Sequence, residues 1–228
     1  MNPLNLYVCG QKAFGAAAAE RLAAAGHRII GATSPATTSR GSYDLLAGYC
    51  LRTDTPWTDT ARFTWRNIPP HTDLIVAAHS HAFVSRKARD RARIAAIGYH
   101  PSLLPLHRGR DAIRWTIRDH DRVTGGSVYH LTDRTDAGPI AAQQHALVPP
   151  GISVRELWRD LLFPLGLDLL ETACNDAAAD RLPAVPQDEA CATWEPSMDT
   201  APLHRPDLPE LPPAIADRAP ATARASGA

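Results

Sequence analysis

The chain has 228 residues, with 24 Lys and Arg balanced by 24 Asp and Glu, and 44% of its residues are apolar. This length predicts one domain, or one domain with an appendage, and the apolar content is sufficient for a buried core. A formal net charge of zero argues against a protein that binds nucleic acid through bulk positive charge. The sequence has no run of about 18 apolar residues, so we expect no membrane span.

The N-terminus and the cysteines indicate the compartment. The first residues lack the basic segment that begins a signal peptide, and their short apolar stretch is typical of a first strand. The four cysteines, at positions 9, 50, 174 and 191, include no CxxC pair, so we expect no structural zinc site. We therefore expect reduced thiols in a cytoplasmic protein.

The first part of the chain has the pattern of a parallel α/β unit. Strands are predicted at residues 5–9 and 27–32, with an Ala-rich helix at 16–25 between them. Residues 33–72 are rich in Thr, Ser, Asp and Pro, which predicts loops around short elements. A nearly continuous apolar run at 73–78 is typical of a buried parallel strand. The glycines after the first strand lack the GxGxxG spacing, so a nucleotide site there is only weakly indicated.

The second part is predicted to contain, in chain order, a helix, a strand, a helix, two antiparallel strands at the sheet edge and a long helix. Their ranges are 85–93, 94–99, 111–118, 127–131, 140–147 and 154–178. Pro164 should kink or divide the last helix. We expect a catalytic domain over residues 1–198 and a disordered Pro- and Ala-rich tail over 199–228.

The segment 98–109, Gly-Tyr-His-Pro-Ser-Leu-Leu-Pro-Leu-His-Arg-Gly, is the most informative part of the sequence. His100 lies at the carboxyl end of a predicted parallel strand, the sheet edge where ligands bind in open α/β folds. Pro101 restricts His100 to extended backbone conformations. A histidine held in this way is suited to proton transfer or to stabilising an oxyanion.

A second segment, 133–140, reads Asp-Arg-Thr-Asp-Ala-Gly-Pro-Ile and connects the two predicted edge strands. Asp136 stands in this turn with Gly138. A carboxylate beside an imidazole orients the ring and favours its charged form, and it can also accept a proton from an attacking amine or water. Alone, Asp136 would more often be a turn residue that hydrogen-bonds its own backbone.

Together these motifs resemble the folate-dependent formyltransferases, a family that includes glycinamide ribonucleotide, methionyl-tRNA and sugar N-formyltransferases. The pattern is most similar to the hydrolase domain of 10-formyltetrahydrofolate dehydrogenase. The likeness covers about residues 5–195. Further positions that match the family are Gly10-Gln11, Phe14-Gly15, Ala112-Ile113, Trp115, Leu162-Phe163-Pro164, Gly166, Pro186-Gln187, Glu189 and Thr193.

The resemblance implies a Rossmann-like α/β formyltransferase fold with a mostly parallel sheet, an antiparallel edge and helices on both faces. It also implies 10-formyltetrahydrofolate as formyl donor, and His100 and Asp136 as catalytic residues. The pterin is expected against His81, Ala82, Phe83 and Val84 and against Thr132 and Asp133; Gly98, Ser102 and Arg108 are expected to contact the substrate.

One position departs from the family pattern. Most transferases of the family have Asn two residues before the histidine, where this chain has Gly98, and the hydrolase domain of the dehydrogenase also lacks that Asn. Residues 98 and 100 point to the same face of a strand, so the missing amide would have faced the substrate. Ser80, His81 or a water could replace that hydrogen-bond donor.

Three functions therefore stay open. The first is transfer of the formyl group to the amine of a small molecule; the second is hydrolysis of the donor to formate; the third is folate binding or sensing with little catalysis. The Pro-rich tail and zero net charge make tRNA an improbable acceptor, and the oligomeric state is not predicted. His79 and His81 could ligate a metal with His100, but no further ligand is evident, so no metal is expected.

Overall fold

The computed structural model of the protein describes residues 2–38 and 41–198. A compact unit extends as far as Pro196. The predicted disordered tail, residues 199–228, lies outside the described residues. The strands are β1 (Asn5–Gly10), β2 (Arg28–Ser34), β3 (Trp57–Asp59), β4 (Leu74–Ala78), β5 (Ala95–His100), β6 (Val123–His130) and β7 (Ile140–Leu147). The α-helices are α1 (Lys12–Ala24), α2 (Leu45–Thr53), α3 (Arg86–Arg89), α4 (Ala112–Arg118), α5 (Val154–Glu156) and α6 (Phe163–Ala178).

The seven strands form one sheet in the order β3-β2-β1-β4-β5-β6-β7. The pairs from β3 to β5 are parallel, whereas β5 with β6 and β6 with β7 are antiparallel. This arrangement confirms the predicted α/β class with an antiparallel edge. Because β4 and β5 are adjacent and parallel, the residues that follow them meet at the same edge of the sheet.

Helices cover both faces of the sheet, because successive side chains of a strand point to opposite faces. Leu6 of β1 belongs to a core formed with α1 and α6, in which Phe14 and Leu170 are buried. Its neighbour Tyr7 points to the other face and packs with Val84 and the α3 region. Strands buried on both faces explain the nearly continuous apolar runs of β1 and β4.

Several elements differ from the sequence prediction. Helix α1 begins at Lys12, four residues earlier than expected, and the stretch predicted as irregular contains α2. The N-cap of α2 is Asp44, whose side chain accepts a hydrogen bond from the Leu46 N–H. The basic helix expected at 85–93 is limited to Arg86–Arg89. Strand β6 begins at Val123, four residues before the predicted start. The sequence prediction missed these residues because Gly125 and Gly126 interrupt the apolar pattern of a strand.

The long C-terminal helix is divided near Pro164, as predicted. Helix α5 is followed by a π-helical turn over Leu157–Leu162, and α6 begins at Phe163. Proline cannot donate the backbone hydrogen bond of a helix interior, so the turn before it leaves regular geometry. The Leu162 carbonyl in this turn accepts a hydrogen bond from the hydroxyl of Tyr99 at 2.7 Å. Burial raises the pKa of Tyr99, which keeps this hydroxyl protonated and able to donate.

Two expectations from composition concern cysteines and membrane spans. All four cysteines are free thiols; three are buried and Cys191 is exposed. Among the described residues, no helix has both the length and the apolar character needed to cross a bilayer.

Replacing Tyr99 with Phe is expected to destabilise the fold by about 1–3 kcal/mol, because it leaves the buried Leu162 carbonyl without its side-chain donor. Urea or thermal denaturation followed by circular dichroism measures the change. Tyr43→Phe is the matched control, since Tyr43 is 69% exposed. Equal stability of both variants and the wild type would contradict this role of Tyr99.

Candidate active site

A cavity of about 470 Å³ opens at the carboxyl ends of β4 and β5. Its wall includes His79, directly after β4, and His100, the last residue of β5. Tyr129 of β6 and Asp136 of the following turn complete the deep part, and Trp158 contributes from the π-helical turn. The predicted catalytic residues therefore both line one cavity at the expected sheet edge.

His100 is buried, with both ring nitrogens directed at oxygen atoms. Nε2 lies 2.7 Å from the backbone carbonyl oxygen of His107. Because a carbonyl can only accept, Nε2 carries the hydrogen of this bond. Nδ1 lies 3.6 Å from Oδ2 of Asp136, slightly longer than a direct hydrogen bond. The ring is thus anchored through Nε2, while Nδ1 faces the carboxylate across a short gap.

Asp136 is held by two donors. The Gly109 N–H donates to Oδ2 at 2.8 Å, and the Tyr129 hydroxyl donates to Oδ1 at 2.6 Å. Burial and the neighbouring Asp136 charge raise the pKa of Tyr129 well above its usual value, so the hydroxyl stays protonated as a donor. These contacts fix the carboxylate beside the imidazole.

The backbone around Asp136 is unusual in two respects. Asp136 has a φ of 51°, in the left-handed region that few residues other than Gly, Asn and Asp adopt. A Cβ atom at Gly138 would lie 1.7 Å from the carbonyl oxygen of His130, so only glycine fits there. Gln187 Nε2 donates to the carbonyl oxygens of both Asp136 and Gly138, at 2.9 and 2.7 Å. The Asp-x-Gly sequence thus satisfies a steric requirement as well as providing the carboxylate.

Arg108 contacts two side chains of the protein itself, and its contact with a substrate stays a prediction. It is 6% exposed, and its guanidinium donates to Gln187 and Glu189 rather than facing the cavity. Hydrogen bonds from Arg108 and then Arg134 lower the pKa of Glu189 to about 2, so this carboxylate is charged at neutral pH. Arg108 therefore fixes Gln187, which in turn holds the Asp136 backbone.

Ser102 is also structural in this arrangement. It is fully buried, and its hydroxyl donates to the Leu106 carbonyl at 2.6 Å. The loop is tied to β6 by the hydroxyl of Ser127, which donates to the Ser102 carbonyl and accepts from the Leu104 N–H. These contacts shape the loop, and a contact of Ser102 with the substrate stays a prediction.

Gly98 lines the cavity and pairs with Tyr129 across the antiparallel strands, and its contact with a substrate stays a prediction. A Cβ atom at this position would lie 2.9 Å from Cδ2 of Leu131. The space that a larger side chain at 98 would need is therefore partly filled by Leu131.

Neighbouring side chains could donate the hydrogen bond that an Asn amide at position 98 would supply, and they differ in whether they are already bonded. Ser80 is engaged in a local turn, in which its hydroxyl donates to the Ala82 carbonyl and accepts from the Ala82 N–H. His79 and His81 line the cavity. Burial, then Lys12 and then His81, lower the pKa of His79 to about 4; burial and then Arg110 lower that of His81. His79 is therefore a neutral imidazole at neutral pH, able to donate one N–H.

No metal cluster is formed by the three cavity histidines in the described part of the chain. The single group of potential metal ligands found there is His107, Asp119 and Glu195. Both ring nitrogens of His107 already contact carboxylates, Asp121 at 2.7 Å and Glu195 at 3.1 Å.

Of the residues expected to contact the pterin, the cavity includes His81 only. Val84 is buried in the core, whereas Phe83 is 69% exposed. Asp133 pairs with Arg89, and the Thr132 hydroxyl accepts from the Arg134 N–H. Ala82 is engaged with Ser80 in the turn described above. A pterin against Ala82, Phe83, Val84, Thr132 and Asp133 stays a prediction.

Other cavity residues had no clear signal in the sequence. Tyr129 lies seven positions before Asp136, and only the strand register reveals that it can reach the carboxylate. Trp158, Arg110 and Arg155 enter from the π-helical turn, the loop after Gly109 and α5. Only the resemblance singled out Gln187, without a role.

Comparison of the sequence with known proteins gives matches to formyltransferases and to proteins that act on formyltetrahydrofolate. Residues 68–164 match the family model described as formyl transferase. The mitochondrial 10-formyltetrahydrofolate dehydrogenase of Mus musculus is 33% identical over 205 residues, which are 85% of this chain and 22% of that protein. Methionyl-tRNA formyltransferase of Lactobacillus delbrueckii is 28% identical over 202 residues, 84% of this chain and 64% of that protein. The chain thus spans about a fifth of the dehydrogenase and two thirds of the tRNA enzyme.

Solved structures share the fold. An N-formyltransferase from Helicobacter canadensis, in complex with folinic acid and dTDP-3-aminofucose, superposes with a TM-score of 0.70 at 11% identity, covering 89% of this chain and 74% of that one. A phosphoribosylglycinamide formyltransferase from Anaplasma phagocytophilum superposes with a TM-score of 0.68 at 17% identity, covering 86% and 100%. With the motifs and the family match, these similarities confirm the predicted resemblance to the formyltransferases.

Proposed function

We propose that this chain binds 10-formyltetrahydrofolate in the cavity and that His100 and Asp136 transfer its formyl group to the amine of a small molecule. The supporting observation is the pairing of these two buried side chains, with Nδ1 and Oδ2 at 3.6 Å, in a cavity at the sheet edge. The family resemblance gives the donor, and the site geometry gives the residues.

The size of the cavity and the chemistry of its wall support the binding of a reduced folate. Its volume of about 470 Å³ lies in the range of small-molecule sites, about 300–1,000 Å³. Its wall combines Phe14, Tyr99 and Trp158 with the polar groups of His100 and Asp136. The aromatic side chains suit the ring of a pterin, and the His100–Asp136 pair suits its one reacting carbonyl.

In the proposed reaction, the amine nitrogen attacks the formyl carbon, and the carbonyl oxygen gains the negative charge. With its ring protonated on both nitrogens, His100 stabilises this oxyanion through Nδ1–H, while its Nε2–H stays anchored to the His107 carbonyl. Asp136 accepts the proton that the amine loses, directly or through a water. The oxyanion then reforms a carbonyl and the bond from the formyl carbon to N10 breaks. Asp136 gives the proton that it accepted to N10, directly or through the water, as tetrahydrofolate leaves.

Hydrolysis is a second candidate, with water as the attacking nucleophile. Two observations favour it: position 98 has no amide, and relatives more than 30% identical are 10-formyltetrahydrofolate dehydrogenases. The same two residues would act, and formate would be released in place of a formylated amine.

Incubation with 10-formyltetrahydrofolate alone, then with an added amino sugar or amino acid, separates the candidates. Transfer predicts that tetrahydrofolate forms only when an amine is present, together with a formylated product detected by mass spectrometry. Formate release at the same rate with and without amines supports hydrolysis. Absence of both binding and turnover contradicts the proposal.

His100→Ala and Asp136→Asn are each expected to lower formyl release by about 10²–10⁴-fold, because each removes a group that acts on charge or protons in the transition state. The rate of tetrahydrofolate formation checks this. His71→Ala and Asp90→Asn are matched controls, because both residues are exposed and neither lines the cavity. Wild-type rates in both site variants would disprove the assignment.

The effect of glycine at position 98 can be tested by a double substitution that also shortens Leu131. Gly98→Asn combined with Leu131→Ala makes room for the amide and is expected to raise turnover by about 10²-fold if an oxyanion donor is missing. Gly98→Leu with Leu131→Ala, similar in size but without the amide, is the control and should show no gain. Turnover of the Asn variant no higher than that of this control would mean that the missing amide does not limit the reaction.

A further inference from the structure

The wall of the cavity contains a set of charges that the reaction above does not use. Three arginines line it, Arg110, Arg114 and Arg155, together with two carboxylates, Asp111 and Asp136. The excess of cations is local, because the chain as a whole has no formal net charge.

Most of these charges already have partners. Asp136 accepts from Gly109 and Tyr129 and faces His100. Arg114 lies 3.8 Å from Asp111, one turn away along α4. Once these pairs are set aside, two guanidinium groups of the cavity wall are not accounted for.

Arg110 and Arg155 make no ion pair and no side-chain hydrogen bond with any residue in the described ranges. Arg110 directly follows Gly109, whose N–H binds Asp136, so it is anchored next to the catalytic pair. Its charge lies close enough to His81 to lower the pKa of that imidazole. Arg155 belongs to α5, in the same stretch as the cavity residue Trp158.

We propose that Arg110 and Arg155 together bind an anionic group, a carboxylate or a phosphate, of the ligand that occupies this cavity. This inference rests on the proposed function for the location of the ligand and adds its charge. Guanidinium groups present paired N–H donors that match the oxygens of carboxylates and phosphates. The anion could belong to the glutamate of the folate or to the amine acceptor, and both sources share this chemistry.

The experiment compares the wild type with the double variant Arg110→Gln, Arg155→Gln by isothermal titration calorimetry. The probes are tetrahydrofolate, tetrahydropteroate, which lacks the glutamate, and inorganic pyrophosphate. Arg159→Gln is the matched control, because Arg159 is exposed, lies one turn after Arg155, pairs with Asp160 and does not line the cavity. Thermal denaturation verifies that each variant is folded.

Loss of a charge-assisted contact is expected to weaken binding by about tenfold. If the double variant weakens tetrahydrofolate but not tetrahydropteroate, the anion is the glutamate of the folate. If it weakens pyrophosphate and leaves both pterins unchanged, the anion belongs to the acceptor. Equal affinities of the double variant, the control and the wild type for all three probes overturn the proposal.

The outcome for the proposed function is separate. A wild-type protein that binds pyrophosphate through these arginines but binds neither pterin would refute folate binding and leave the anion site standing. The opposite result is also distinguishable. If the wild type and the double variant bind both pterins equally well, and also bind pyrophosphate equally well, the anion site is refuted and folate binding stands.

Discussion

The structure of the site depends on how the Asp136 carboxylate is held against His100. Two donors from different parts of the chain, the Gly109 N–H and the Tyr129 hydroxyl, occupy one oxygen each. His100 is fixed independently by the His107 carbonyl, so the pair is set by three anchors rather than by its own attraction. Preorganised groups of this kind stabilise developing charge without reorganising during the reaction.

This arrangement also explains why the motifs extend beyond His100 and Asp136. Arg108 and Glu189 hold Gln187, and Gln187 holds the backbone of Asp136 and Gly138. Asp136 keeps a left-handed backbone, which costs free energy and persists only where surrounding contacts determine it. Residues far apart in the chain thus meet to maintain one strained turn.

The sequence was sufficient for the sheet class, the antiparallel edge, the break near Pro164 and the meeting of His100 with Asp136. Periodicity and strand ends indicate the sheet features, Pro164 indicates the break in the helix, and the resemblance implied the meeting of His100 with Asp136. The sequence did not reveal the contacts of Arg108 and Ser102 inside the protein, because it shows that a side chain is polar but not which partner from another element will bind it. The contact of Tyr129 with Asp136 and the crowding of Gly98 by Leu131 arise from strand register, which local patterns do not specify.

The central claim is that a reduced folate places its formyl group beside His100 and Asp136. A crystal structure of the protein soaked with folinic acid, the stable 5-formyl isomer of the donor, tests it most directly. The account predicts the pterin inside the cavity, with the formyl group within hydrogen-bond reach of His100 or Asp136. Folinic acid bound at another surface, with the cavity closed to it at saturating concentration, would contradict the account.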